Sequence, residues 1–226
     1  MGIRVLVVLL VLALAAPLLT VALFRFVRPP LTTFMLVRAV ADRGRPDYRW
    51  RPLRSMSPHI VRAVIAAEDA RFMQHRGFDW TEVESAVRRS QRGGRLRGAS
   101  TISMQCARTL LLWPGRDVIR KGLEAYLTVL LEGLWPKQRI LEIYLNVVEW
   151  GDGIYGCEAA AQHHLQTTCA ALDIDQAARL AAILPNPRRW SAARPGRYVR
   201  RRSATIQARM PLVAVPCAEG MGKCSS

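Results

Sequence analysis

Glu68 and Asp69 close a run of apolar residues, Ile60, Val61, Val64, Ile65 and Ala67, whose spacing predicts a helix with the acidic pair near its C-terminal end. The helix dipole disfavours negative charge there, and apolar neighbours raise a carboxylate's proton affinity, so an acid in this setting suits proton transfer. The competing reading is a solvated turn in which Arg71, His75, Arg76 and Gly77 neutralise the pair. A second acid, Glu124, follows Arg116, Arg120 and Lys121. Arg120 and Glu124 are four apart, which ordinarily gives a surface ion pair worth about 0.3–0.5 kcal/mol. The sharper reading has Arg116, Arg120 and Lys121 gripping phosphate at a helix N-terminus while Glu124 orients them or assists catalysis. Between the two acids, Ser100, Thr101, Met104, Gln105 and Arg108 recur three or four apart. On a helix they form one polar edge able to contact a sugar or a phosphate, the alternative being an ordinary N-capped helix. Lys121 and Lys137, two of only three lysines among 33 basic residues, both stand at the beginnings of predicted helices.

The elements that must position these residues read as helices almost throughout. Trp80 to Gln91 predicts a short helix, followed by the Gly- and Arg-rich loop RGGRLRGAS and the STISMQCARTLLL helix. Val118 to Trp135 carries a wide apolar stripe, and Pro136 starts a helix, KQRILEIYLNVVEW, that the pattern carries to Gly151. GCEAAAQHHL and DQAARLAAIL add two small-residue helices before the stop Pro185-Asn186-Pro187, and Arg200, Arg201, Arg202 and Arg209 mark a final basic helix. The fold class is mainly α. Four divisions follow: residues 1–27, an N-terminal tail and apolar span; 28–57, an Arg- and Pro-rich connector without a sustained period; 58–210, the helical domain; and 211–226, a tail without a pattern.

At 226 residues the chain has ample length for a core, and its formal charge of +16 calls for an anionic partner: phosphate, nucleic acid or lipid headgroups. Twenty residues from Val5 to Phe24 carry no charge, enough at about 1.5 Å per residue to cross a hydrocarbon core of roughly 30 Å. Ala13-Leu14-Ala15 resembles a cleavage site, but the apolar run continues beyond the need of a signal peptide, so an uncleaved transmembrane helix is expected. Arg25, Arg28 and Arg38 outnumber Arg4, which by the positive-inside rule places the domain in the cytoplasm. The five cysteines have no CxxC spacing, so no disulfide framework is expected and at least one thiol stays outside any intrachain pair. Cys157, His163, His164 and Cys169 do not share one helix face, which argues against a metal site.

Taken together, EDARFMQHRGFD (68–79), GASTISMQCART (98–109), RKGLE (120–124) and KQRILEIYLN (137–146) resemble the ordered motifs of the peptidoglycan glycosyltransferases. That family includes class A penicillin-binding proteins and monofunctional biosynthetic transglycosylases, and without a penicillin-binding domain downstream the monofunctional type is the match. The resemblance implies a lysozyme-like, two-lobed glycosyltransferase domain behind an N-terminal transmembrane helix, held by a single pass in the bacterial inner membrane with the catalytic domain in the periplasm. It implies an inverting enzyme that polymerises lipid II into β-1,4-linked glycan with release of undecaprenyl pyrophosphate, building the cell wall. The partners implied are lipid II, the growing glycan chain and the membrane; no nucleic acid is expected, and proteins of cell division or elongation are left open. Cofactors are none, with a divalent cation left open and no metal ligands assigned. By resemblance Glu68 is the general base and Glu124 the second acid, Arg116, Arg120, Lys121 and Lys137 meet the diphosphate, and Ser100, Thr101 and Gln105 line the donor side. Arg108-Thr109 stands where the family ordinarily has Lys-Asn, and His163-His164 where it has Tyr-Phe. Arg108 keeps the charge but is no equivalent of Lys. A lysozyme-like lytic enzyme, an inactive cell-wall scaffold and a membrane-anchored nucleic-acid binder are the rival readings.

Overall fold

A computed structural model describes residues 2–42, 44–91, 93, 100–115 and 117–216, excepting the side chains of residues 3 and 8–14. Helix α1 runs Gly2–Phe24 with Pro17 inside it. Among the described residues no helix is long and apolar enough to cross a membrane, the side chains just excepted lying outside that count. Residues 28–57 are more ordered than their composition predicts. They hold α2 (Thr33–Asp42) with Met35 buried, strand β1 (Asp47–Tyr48) and a single 3-10 turn at Leu53–Ser55.

The core is built on α3 (Pro58–Glu68), in which Ile60, Val61, Ala63, Val64, Ile65 and Ala66 are all buried. The buried positions cover most of the helix, with Pro58 exposed and His59, Arg62, Ala67 and Glu68 only partly enclosed. Ser57 caps its start through a bond from His59 N, with Pro58 in the first turn, where a missing N–H costs nothing. It packs against α9 (Ile174–Ile183) and α10 (Arg197–Arg209), and the buried Ala177, Ala178, Ala181 and Ala182 of α9 allow a close approach. Truncating Ile60 or Ile65, both fully enclosed, to Ala costs about 2–5 kcal/mol.

Helix α4 (Trp80–Gln91) is followed by α5 (Ile102–Leu111), α6 (Val118–Leu134) and α7 (Lys137–Val147), with α5 packed on both α6 and α7. Helix α7 ends four residues short of Gly151. Val148 leaves helical geometry, and Glu149–Gly151 forms β2, pairing antiparallel with β3 (Ile154–Tyr155); β1 pairs parallel on the other side, giving the order β1-β3-β2. Gly156, at φ 87°, starts α8 (Cys157–Leu165), and a Cβ there would lie 2.8 Å from Asn146 O. Cys157 and Cys169 form a disulfide, correcting the expectation drawn from spacing alone, while Cys106 is a buried free thiol. Cys217 and Cys224 lie outside the described residues.

Candidate active site

Glu68 is the last residue of α3, and its side chain is 13 % exposed. Three side chains converge on it. Gln105 Nε2 donates to Glu68 Oε2 at 3.0 Å, Arg202 Nη2 donates to Oε1 at 3.1 Å and to Ala67 O at 3.2 Å, and Arg108 acts through its charge. Burial nevertheless dominates and holds the Glu68 carboxyl above the ordinary carboxylate range, against the pull of Gln105, Arg202 and Arg108. A half-enclosed carboxylate of raised basicity with one donor on each oxygen is the arrangement a general base requires.

Asp69 has a different task. Its Oδ1 and Oδ2 lie 2.9 and 3.1 Å from His75 Nε2, and Oδ2 accepts from Ile102 N at 3.0 Å, so it grips the first turn of α5. Negative charge at that helix N-terminus is favourable. Thr101 caps the same end by accepting from Met104 N, and donates its own hydroxyl to Gly77 O at 2.6 Å. Gly77, at φ 88°, is pressed so closely on α6 that a Cβ would sit 2.8 Å from Thr128 Cγ2. Thr101 is therefore a buried cap, while Gln105, one turn further on, faces Glu68, and Ser100 is half-buried just before the helix. Arg108 lies half-buried one turn beyond Gln105, and its guanidinium has no carboxylate partner among the described residues. His75 Nε2 and the carboxylates of Asp69 and Asp79 approach closely enough to hold a cation, but Asp79 also accepts from Glu82 N at the start of α4.

Glu124 is fully buried on α6. Arg120 Nη1 donates to its Oε2 at 2.8 Å and Lys121 Nζ to its Oε1, with the Arg120 side chain 7 % exposed and that of Lys121 47 %. The surface-pair alternative for Arg120 and Glu124 is thereby excluded. Asp117 caps this helix by accepting from Arg120 N. Arg116 lies outside the described residues. Lys137 is held by Glu132 at 2.7 Å, its Nζ 4.4 Å above the Phe72 ring, and Ser103 donates to the same Glu132 carboxylate.

The KQRILEIYLN stretch does mostly positional work. Arg139 donates to Phe24 O and Val27 O, Glu142 accepts from Leu53 N, and Asn146 bonds both the N–H and the carbonyl of Arg51. These fasten the exit of α1 and the connector onto the domain, helped by Trp135 Nε1 donating to Val21 O at 2.7 Å. Tyr144 reaches the site, donating to Gln105 Oε1 at 3.1 Å. His163 and His164 stand apart from it: His164 Nε2 lies 2.9 Å from Trp150 O, and burial lowers its proton affinity.

A largely enclosed carboxylate at the end of a core helix, held by donors from α5 and α10, sits in a mainly helical domain. The family described as Transglycosylase matches residues 37–211, and the chain belongs to it. The chain is 49% identical over 203 residues to a biosynthetic peptidoglycan transglycosylase of Caulobacter vibrioides, covering 90% of this chain and 88% of that one. It is 53% identical over 190 residues to one of Rhodospirillum centenum, covering 84% and 82%, and 51% identical over 212 residues to one of Ectopseudomonas mendocina, covering 92% and 87%.

Proposed function

We propose that this chain is a peptidoglycan glycosyltransferase that polymerises lipid II for the cell wall. The observation that carries the reading is Glu68, a half-enclosed carboxylate of raised basicity presented between Gln105 and Arg202. Family membership and relatives named as biosynthetic peptidoglycan transglycosylases support it, and the lysozyme-like two-lobed form belongs to the same reading. Glu68 takes the proton from the acceptor 4-hydroxyl, whose oxygen bonds to the donor's anomeric carbon from the face opposite the leaving group. The bond from that carbon to the diphosphate breaks, and its electron pair leaves with undecaprenyl pyrophosphate. Arg120, Lys121 and Arg108, with Arg116, meet the developing negative charge, and this favours synthesis over lytic cleavage, which releases no diphosphate. Ser100 and Gln105 line the donor side.

The reading extends to location: α1 is a single-pass inner-membrane anchor and the domain is periplasmic. The uncharged run Val5 to Phe24 within a 23-residue helix supports the anchor. The Cys157–Cys169 disulfide supports the periplasm, because such bonds persist in oxidising compartments, and it outweighs the arginine count beyond α1.

Purified chain incubated with lipid II yields a ladder of glycan strands on this reading. No polymer overturns it, and fragments released from preformed peptidoglycan instead favour the lytic reading. Alkaline phosphatase fused after Met210 is active in cells and stays with carbonate-washed membranes; an inactive or soluble reporter overturns the location.

A further inference from the structure

Between the last turns of α2 and the turn that leads into β3, a pocket of about 150 Å³ is lined by both signs of charge, Arg38 and Arg45 with Asp42 and Asp152. Its cations are open and its acids half used. Arg38 and Arg45 have no carboxylate partner among the described residues, whereas Asp42 and Asp152 share one cation, Arg188, each through a single oxygen. Two donors are stranded in the same wall. Arg38 Nε and the hydroxyl of Tyr155, a residue only 1 % exposed, are buried without an acceptor, a state that costs free energy until something accepts from them. The pocket has room for far more than the single water that would satisfy them.

The pocket also stands beside the exit of α1. Tyr48, the neighbour of Tyr155 across the parallel β1–β3 pair, donates its hydroxyl to Pro29 O at 2.9 Å, just after α1 ends. Along the chain from there to the pocket, Phe26, Val27, Leu31, Leu36, Val37 and Val40 are exposed.

We propose that this pocket holds the headgroup of a zwitterionic aminophospholipid, phosphatidylethanolamine, with its phosphate on Arg38, Arg45 and the Tyr155 hydroxyl and its ammonium on Asp42 and Asp152. The proposal rests on the reading of α1 as a membrane anchor and is independent of Glu68 as the base. A free anion would answer the guanidiniums but face the two acids, and a free cation would meet the reverse. With Arg188 and Glu149 behind the wall, three cations stand with three acids, so the fitting ligand carries both signs and no net charge. The acyl chains then run over the exposed apolar residues of α2. Because α2 packs on α5, which carries Gln105 and Arg108, a headgroup held here fixes the height of the site above the bilayer.

Free phosphate shares half of this chemistry, and the experiment separates the sources. The detergent-solubilised full chain is given equal amounts of phosphatidylethanolamine, phosphatidylcholine and phosphatidylglycerol, and the lipid it retains is read by native mass spectrometry. Choline replaces the N–H donors of the ammonium by methyl groups, and the glycerol headgroup has no cation. Phosphatidylethanolamine is therefore retained about tenfold over either. Arg38→Gln lowers that retention about tenfold, and Asp42→Asn/Asp152→Asn brings it down to the level of phosphatidylglycerol. Tyr155→Phe keeps the ring in the core and lowers retention severalfold, a second reading where Arg38→Gln does not fold. Equal retention of the three lipids overturns the proposal, as does unchanged retention in Arg38→Gln or, if that variant does not fold, in Tyr155→Phe. Displacement of the lipid by inorganic phosphate also overturns it and assigns the pocket to free anions. A chain that leaves membranes on carbonate washing overturns the anchor instead, while the mass spectra still report on the pocket.

Discussion

Tyr144 Oη donates to Gln105 Oε1 at 3.1 Å, and that bond fixes which way round the Gln105 amide lies. Burial holds the Tyr144 hydroxyl well above its ordinary proton affinity, so it remains a donor at every working pH. With Oε1 so occupied, Nε2 is turned to Glu68 Oε2 at 3.0 Å. The opposite orientation would set a carbonyl oxygen against a carboxylate.

Tyr144→Phe therefore releases the amide. Leaving the half-buried Gln105 Oε1 without its donor costs about 1 kcal/mol of stability, measured by urea unfolding. Glu68 loses a fixed donor to its charged form, so the acid limb of kcat/KM for lipid II polymerisation moves to higher pH. The groups facing Glu68 are Gln105, Arg202 and Arg108, with Tyr144 and Asp69 behind them, and Tyr144→Phe leaves every charge among these in place. A superimposable pH profile would show that Gln105 holds its orientation without Tyr144.

Glu68→Gln keeps the shape and removes proton acceptance, and the expected loss of polymerisation is about 10²–10⁴-fold. Stability moves the other way. Glu68 has a raised proton affinity in the folded state, so the folded chain holds more protons than the unfolded one between the ordinary carboxylate value and the raised one. Stability from this group is present below that window and lost as pH rises through it. The thermal midpoint of Glu68→Gln should equal or exceed the parent's at pH 8, with the difference closing towards pH 4. A variant that is less stable at pH 8 would mean that the bonds from Arg202 and Gln105 outweigh burial.

Glu124 behaves differently because it is fully enclosed with Arg120 as a buried partner, and not in the surface ion pair that their spacing ordinarily gives. Glu124→Gln strands the Arg120 charge, and the expected loss is roughly 3–5 kcal/mol of stability together with activity. Arg120→Leu/Glu124→Leu removes both charges, so it should regain most of that stability without regaining turnover. Recovery of turnover in the double variant would reduce the pair to a structural pin.

Helix periodicity and local spacing made much of this centre legible. Glu68 at the end of an apolar run, Gln105 and Arg108 on one edge, and Arg120, Lys121 and Glu124 within a single turn all follow from it. Arg202 did not emerge, because its contact with Glu68 spans 134 residues and exists only once α10 packs on α3. One signal was available: Val199, Ser203 and Ile206 are the buried stripe of α10, and Arg202 borders it while Arg200 and Arg201 point outward. The sheet was missed for a simpler reason. Its strands are two or three residues long, too short to show alternation, and β2 continued the apolar pattern of α7.

The Cys157–Cys169 disulfide closes a short loop beside the start of α3. Cys169 O accepts from Ser57 N at 3.0 Å, Ser57 Oγ donates to Leu172 O at 2.7 Å, and Cys169 N donates to Glu158 Oε2 at 3.0 Å, so the bridged segment holds the residue that caps α3. A loop of this length confers about 2–4 kcal/mol by restricting the unfolded chain. Cys157→Ala/Cys169→Ala should lose about that much in urea unfolding, and the parent should lose a similar amount in dithiothreitol while the double variant does not respond. Neither cysteine touches Glu68, Gln105 or Arg202, so turnover of the folded protein at 25 °C should stay within about twofold, the scale of an effect under 0.5 kcal/mol. A large fall in kcat with stability unchanged would move the disulfide from the scaffold into the positioning of the base. If the parent were purified from the periplasmic side with both thiols free, the bond would lose its force as an argument for where the domain resides.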